Sequence, residues 1–181
     1  ADIAMVTIGR NAGEYTDRRV EDDFNLCDDE MQMLKKVTEL FHQAGKSVVV
    51  ILNIGGVVET ASWRDLPDAI LVAWQGGQES GNSLADILSG KVSPSGKLPM
   101  TFPIRYEDAA SSKNFPVIEA EEAVNIYREF FTGAKGVDRP NVDYTLYEEG
   151  IFVGYRYFDS FDVATAYPFG YGLSYTDFKY S

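Results

Sequence analysis

Two nearly unbroken apolar runs set the frame of the chain. Residues 3–8 (Ile-Ala-Met-Val-Thr-Ile) and 48–52 (Val-Val-Val-Ile-Leu) are rich in β-branched side chains and bounded by Gly or polar residues, the pattern of strands covered on both faces. Between them, Asp28-Asp29-Glu30 precede Met31, Leu34, Val37, Leu40 and Phe41 at helical spacing, and Gly45 closes the run; this predicts a capped amphipathic helix. A strand, a helix and a second strand in that order imply a right-handed parallel crossover. Residues 69–74 (Ala-Ile-Leu-Val-Ala-Trp) predict a third strand, and Leu84, Ile87 and Leu88 a short helix ended by Gly90. The expected fold class is α/β: a doubly wound, mostly parallel sheet with helices on both faces.

After Pro103 the rhythm breaks. Residues 104–118 carry little periodicity, 119–133 place Ala123, Ile126 and Phe130 on one helical stripe, and 134–146 read as a loop. Residues 151–158 (Ile-Phe-Val-Gly-Tyr-Arg-Tyr-Phe) alternate large with small or polar groups as an edge or half-exposed strand would. From Tyr167 to Ser181 the chain is aromatic and Gly-rich. The division this predicts is an α/β core over 1–103, an excursion over 104–146 with one helix, and a segment over 147–181 that closes the same domain.

Composition narrows the partners. At 181 residues the chain suits one main core. With a net charge of −12 and a pI near 4.4, it would be repelled by nucleic acid and by anionic membrane surfaces. No apolar run approaches the roughly 18 residues that span a bilayer, and the amino end lacks a signal-peptide pattern. A soluble protein is expected, with a bacterial-type cytoplasmic or periplasmic location left open. The start at Ala1-Asp2-Ile3-Ala4, directly in a strand-like run, has the look of a fragment or processed piece. The single cysteine, Cys27, excludes an internal disulfide and offers no metal cluster; no metal and no cofactor are expected.

The loop Gly9-Arg10-Asn11-Ala12-Gly13-Glu14-Tyr15-Thr16-Asp17-Arg18-Arg19 leaves the carboxyl end of the first strand, where α/β sheets place ligands. It offers a carboxylic acid, Glu14, beside the guanidinium groups of Arg10 and Arg18, which could orient it or bind a sugar hydroxyl. The plain reading of such residues is solvated surface. Gly76-Gly77-Gln78-Glu79-Ser80-Gly81 opens a helix, yet it has neither the Gly-x-Gly-x-x-Gly spacing of a dinucleotide site nor the Gly-Lys-Ser/Thr of a P-loop, so it reads as a tight strand-to-helix turn. Trp63 could stack on a sugar, but a core or interface place is favoured. His42 has no second His to join it and reads as a solvated helix residue; Cys27 reads as inert.

Two further segments carry a family resemblance. Ser93-Pro94-Ser95-Gly96-Lys97-Leu98-Pro99-Met100-Thr101-Phe102-Pro103, followed by Phe169-Gly170-Tyr171-Gly172-Leu173-Ser174-Tyr175-Thr176, closely resembles the carboxyl-side α/β domain of glycoside hydrolase family 3. Residues 73–81 resemble the family's Trp-x-x-Gly-Gln-Glu-x-Gly signature. Residues 53–59 resemble its Leu-x-x-Gly-x-Pro-Val-Glu turn, with Val57 where Pro is frequent. The loop at 12–18 resembles Ser-Gly-Glu-Gly-Tyr-Asp-Arg, except that no Gly follows Glu14.

The resemblance implies a retaining exo-acting β-glucosidase acting on a β-glucoside or short oligosaccharide, with Glu14 in the general acid/base slot, Glu21 as alternative and Asp17 as third choice. It implies a nucleophilic Asp on a preceding (β/α)8 barrel as partner, a fibronectin-like domain following, and a homodimer as a further option. The isolated chain is then expected to be inactive. The aromatic residues Tyr155, Tyr157, Phe158, Tyr167, Phe169, Tyr171 and Tyr175 are expected to pack in part against other chain. Alternatives are a family 3 β-xylosidase or other exo-glycosidase, a non-catalytic carbohydrate-binding or structural module, and, on fold class alone, a nucleotide-binding domain.

Overall fold

The computed structural model describes residues 1–11, 18–113, 147–177 and 179. Three strands, β1 (Ile3–Gly9), β2 (Ser47–Asn53) and β3 (Ala69–Val72), form a parallel sheet in the order β1-β2-β3. The register runs from Ile3 beside Ser47 to Gly9 beside Asn53, and from Val49 beside Ala69 to Leu52 beside Val72. β2 is central, and Val48, Val50, Ile51 and Leu52 are all buried. Covering on both faces is why that run carries no polar alternation. At the edge, β1 buries Val6 and Ile8 but leaves Ile3 and Met5 exposed.

The helix α1 (Asp28–Gln43) connects β1 to β2. Its start is a capping box in which Glu30 Oε2 accepts the Cys27 amide at 3.1 Å, and Asp28, Asp29 and Glu30 place negative charge at the positive end of the helix dipole. Its end is a Schellman turn: Lys46 donates its amide to the Phe41 carbonyl at 2.9 Å, Gly45 donates to His42 at 3.0 Å, and Gly45 takes φ +66°. Glycine suits that left-handed position because it has no Cβ to clash. Leu34 sits fully buried against the sheet. His42 lies on the exposed side and meets Asp68 at 3.0 Å.

The turns after β2 build the rest of the core. Ile54, Val58 and Trp63 are buried, and the Trp63 indole donates to the Glu59 carbonyl at 2.7 Å, so Trp63 is a core residue, as favoured. β3 ends at Val72 instead of running to Trp74, which adopts φ +52°. A short turn then leads into α2 (Ser80–Leu88).

The two signature runs lie side by side. Leu98 donates its amide to the Tyr171 carbonyl at 2.8 Å, and Gly170 donates to the Leu98 carbonyl at 2.8 Å. The Ser93 and Ser174 hydroxyls meet at 2.9 Å, and the Tyr175 hydroxyl donates to the Ile87 carbonyl of α2 at 2.9 Å. Further along, β4 (Phe102–Pro103) pairs antiparallel with β5 (Thr165–Tyr167), and the fully buried Phe102 joins this ribbon to the main core.

A second expectation is corrected. Residues 151–158 do not form a strand: Gly154, at φ +59°, starts the helix α3 (Tyr155–Ser160), and the strand lies later, at β5. The same residues carry helical spacing, with Tyr157 and Phe161 in ring contact at 5.2 Å and Phe158 buried. Large residues three and four apart meet on a helix. The helix expected over 119–133 and the loop over 134–146 lie outside the described residues. Among the described residues no helix is long and apolar enough to cross a membrane.

Candidate functional site

The carboxyl end of β1 runs into a set of ion pairs. Arg10 extends the ladder, donating its amide to the Asn53 carbonyl at 3.0 Å. Its side chain has only 7% exposure. Every guanidinium N–H has a protein acceptor: Nε the Asp23 carbonyl at 2.7 Å, Nη1 the Gly9 carbonyl and Glu30 Oε1 at 2.7 Å each, and Nη2 Glu30 Oε2 at 2.6 Å and the Asn25 carbonyl at 3.4 Å. The Arg10–Glu30 pair is therefore bidentate, the strong geometry for a carboxylate. The hydrogen bond from Arg10 holds the Glu30 carboxyl below its ordinary range, helped by the Cys27 amide and opposed by burial. The same bond raises Arg10 further.

Arg18 lies beyond the segment 12–17 and turns back to the same place. Its Nε and Nη2 donate to Asp23 Oδ1 at 2.9 and 2.8 Å, Nη2 also reaches the Asp23 carbonyl at 3.1 Å, and Nη1 reaches the Val57 carbonyl at 2.8 Å. Asp23 thus receives both arginines. Asp23 is itself seated by a tight turn, with Asp22 at φ +60°, Phe24 donating to the Arg19 carbonyl at 3.0 Å and Asn25 to the Val20 carbonyl at 2.9 Å. The Phe24 carbonyl then accepts the Glu59 amide at 2.8 Å, which ties this turn to the one after β2.

Arg18 also lines a cleft of about 590 Å³. Its walls are mostly apolar, from Phe24, Met100, Tyr106, Phe152, Tyr155 and Phe169, with Glu149 adding a carboxylate. Tyr155 and Phe169 stack at 4.8 Å between ring centroids and remain half-exposed, while Phe158, which also lines the cleft, is buried. A concave apolar surface with a few charged groups at its border suits a small polar-edged ligand.

The expected site residues separate accordingly. Glu14 and Asp17 lie outside the described residues. Glu21 is exposed and does not line the cleft. Arg18 borders the cleft, whereas Arg10 has all its donors taken up by protein. Sequence reading missed Asp23 and missed Glu30 as the partner of Arg10. The signal available for Glu30 was its place three residues after the helix cap, which explains its bond to Cys27 but not its second role. Phe152 and Tyr106 were missed as cleft walls. Among the described residues no group of three or more His, Cys, Asp or Glu could hold a metal ion.

Comparison with known proteins agrees with the fold. Residues 1–155 match the glycosyl hydrolase family 3 C-terminal domain. Beta-glucosidase A of Butyrivibrio fibrisolvens is 38% identical over 98% of this chain, a match that takes in 22% of that protein. An exo-alpha-(1->6)-L-arabinopyranosidase of Bifidobacterium longum is 34% identical over 99% of the chain and 20% of its own length. Beta-glucosidase 3B from Thermotoga neapolitana, solved in complex with glucose, superposes with a TM-score of 0.80 at 47% identity, covering 97% of this chain and 22% of that one. The chain spans about a fifth of the length of each of these relatives. A parallel α/β sheet, the signature runs zipped together and a match over most of its length make this chain a member of the glycosyl hydrolase family 3 C-terminal domain family.

Proposed function

We propose that this chain is the acid/base-bearing domain of a retaining exo-acting β-glucosidase, which removes a terminal glucosyl unit from the non-reducing end of a β-glucoside or short oligosaccharide. Retention needs two carboxyl groups about 5–5.5 Å apart, one attacking the anomeric carbon and one protonating the leaving oxygen. Glu14 is the proton donor in this reading, with Glu21 as the alternative. An Asp of a (β/α)8 barrel elsewhere in the same enzyme is the nucleophile. Arg18, which borders the cleft, is in this reading the candidate to meet a sugar hydroxyl; Arg10, with no donor left over, acts through its protein partners.

The observation that carries this reading is where Arg10 and Arg18, the described residues on either side of Glu14, stand. Arg10 follows the carboxyl end of β1 and Arg18 borders the aromatic cleft, so a carboxylic acid carried between these two residues is expected to act at the mouth of an apolar concavity. Apolar surroundings keep a carboxyl group protonated near neutral pH, which a general acid requires. A second reading, another exo-glycosidase specificity, is favoured by the similarity to the arabinopyranosidase of Bifidobacterium longum, since one domain type then serves more than one sugar.

The test is division of labour. Purified alone, the chain should not turn over an aryl β-glucoside; joined to its barrel, it should. Turnover by the isolated chain would contradict the assignment.

A further inference from the structure

Resting on the reading of Glu14 as general acid/base, we propose that Arg10, Asp23 and Glu30 are positioning residues, a clamp that fixes both ends of the loop 11–17 and so sets where its carboxylic acid stands. Arg10 sits just before the loop and Arg18 just after it. Both bond to Asp23: Arg10 Nε to its carbonyl at 2.7 Å, and Arg18 Nε and Nη2 to its Oδ1 at 2.9 and 2.8 Å. The two feet of the loop therefore share one anchor.

That anchor is tied to the rigid scaffold on three sides. Glu30 belongs to the first turn of α1 and holds Arg10 by two bonds, at 2.7 and 2.6 Å, while also accepting the Cys27 amide. Arg18 Nη1 bonds to the Val57 carbonyl in the turn after β2. At Gly56 an added Cβ would stand 3.2 Å from Arg18 Nη1, so the absent side chain leaves room for the guanidinium. The Phe24 carbonyl, next to Asp23, accepts the Glu59 amide at 2.8 Å. All five donors of Arg10 are engaged, which removes it from substrate contact and leaves positioning as its role.

A general acid works only from hydrogen-bond reach of the leaving oxygen, and a displacement of about 1 Å can lower the rate roughly 100-fold. The effect of a loosened clamp should therefore depend on the leaving group. Glu30→Gln is the first probe, since Gln at the same position can still accept the Cys27 amide and preserve the helix cap. Asp23→Asn is the second, because it weakens the Arg18 pair while leaving the backbone carbonyl for Arg10 and α1 untouched.

In the complete enzyme, each variant is compared with wild type and with Glu14→Ala on phenyl β-glucoside and on 2,4-dinitrophenyl β-glucoside, with and without azide. The expected result for both clamp variants is a loss of about 10–100-fold in kcat/KM on the phenyl substrate. The dinitrophenyl substrate, which needs little protonation, should lose less than about 3-fold, and azide should raise its turnover. Equal loss on both substrates, or a lowered melting temperature with an unchanged ratio between them, overturns the clamp as a positioning device. If Glu14→Ala lacks the split while the clamp variants show it, the clamp stands with Asp17, the other carboxylic acid of the loop, as proton donor; the split appearing in Glu21→Ala instead overturns it. If Glu14→Ala shows the split and the clamp variants do not, the clamp falls and Glu14 stands.

Discussion

The Leu98 amide donates to the Tyr171 carbonyl at 2.8 Å, and Gly170 returns its own amide to the Leu98 carbonyl at the same distance. The two segments that mark this family in sequence are thus two halves of one structure, closed further by the Lys97 ammonium on the Gly172 carbonyl and by the meeting of Ser93 and Ser174. Their prolines and glycines follow from that contact. Pro99 donates no backbone hydrogen bond, and the bonds on either side are carried by Leu98, Gly170 and Tyr171.

Gly172 should be intolerant of any side chain. A Cβ there would lie 2.7 Å from the Gly96 carbonyl oxygen and 2.9 Å from Lys97 Cδ, and the carbonyl belongs to the backbone it would have to push away. Gly172→Ala should destabilise the chain by about 1–3 kcal/mol, the usual range for overpacking. Gly81→Ala, in α2 with nothing within 4 Å of the new Cβ, should instead stabilise by up to about 1 kcal/mol, because Ala is the better helix former. Thermal unfolding of the two variants beside wild type checks both signs.

Trp63 is expected to be the most sensitive core position tested. It is 1% exposed and its indole N–H donates to the Glu59 carbonyl at 2.7 Å. Trp63→Ala should cost about 3–5 kcal/mol through lost burial and the cavity left behind. Trp63→Phe keeps most of the apolar volume but leaves the Glu59 carbonyl without its donor, at about 1–3 kcal/mol. Urea titration should rank the two in that order.

The Arg10–Glu30 pair gives a pH dependence of known sign. Arg10 holds the folded-state Glu30 carboxyl below its ordinary value of 4.5, so the folded chain favours the ionised form. The stabilisation is complete above that value and is lost as pH falls through the lower folded-state value. Wild type should lose more stability than Glu30→Gln between pH 5 and pH 3, as followed by melting temperature across that range. Parallel curves for the two proteins would show that the pair is uncoupled from folding.

Much of this architecture can be read from the chain before any coordinates, and the reasons are local. β2 is announced by Val48 to Leu52, because a central strand has no solvent face to demand polar residues. α1 is announced by its acidic first turn, its period and Gly45. α3 was misread because Ile151 to Phe158 fit a period of two as well as one near four, and a strand's pairing partner lies far away in sequence. The paired signature runs identified the family, and the contact between Leu98 and Tyr171 shows why they occur together. The clamp was invisible for a different reason. Arg10 and Glu30 meet only because β1 and α1 bring them together across the fold, and the cleft walls come from several separate segments.

The measurement that bears most directly on the central claim, that this domain supplies the general acid/base, is the leaving-group dependence of Glu14→Ala in the complete enzyme. The account predicts a fall of about 100- to 10,000-fold in kcat/KM for a β-glucoside with a poor leaving group, the usual contribution of general acid catalysis. An activated aryl glucoside should be largely spared, and added azide should speed its turnover by replacing the base-assisted attack of water. An equal fall on both substrates without rescue by azide, or the same selective pattern appearing in Glu21→Ala instead, would contradict the assignment of Glu14.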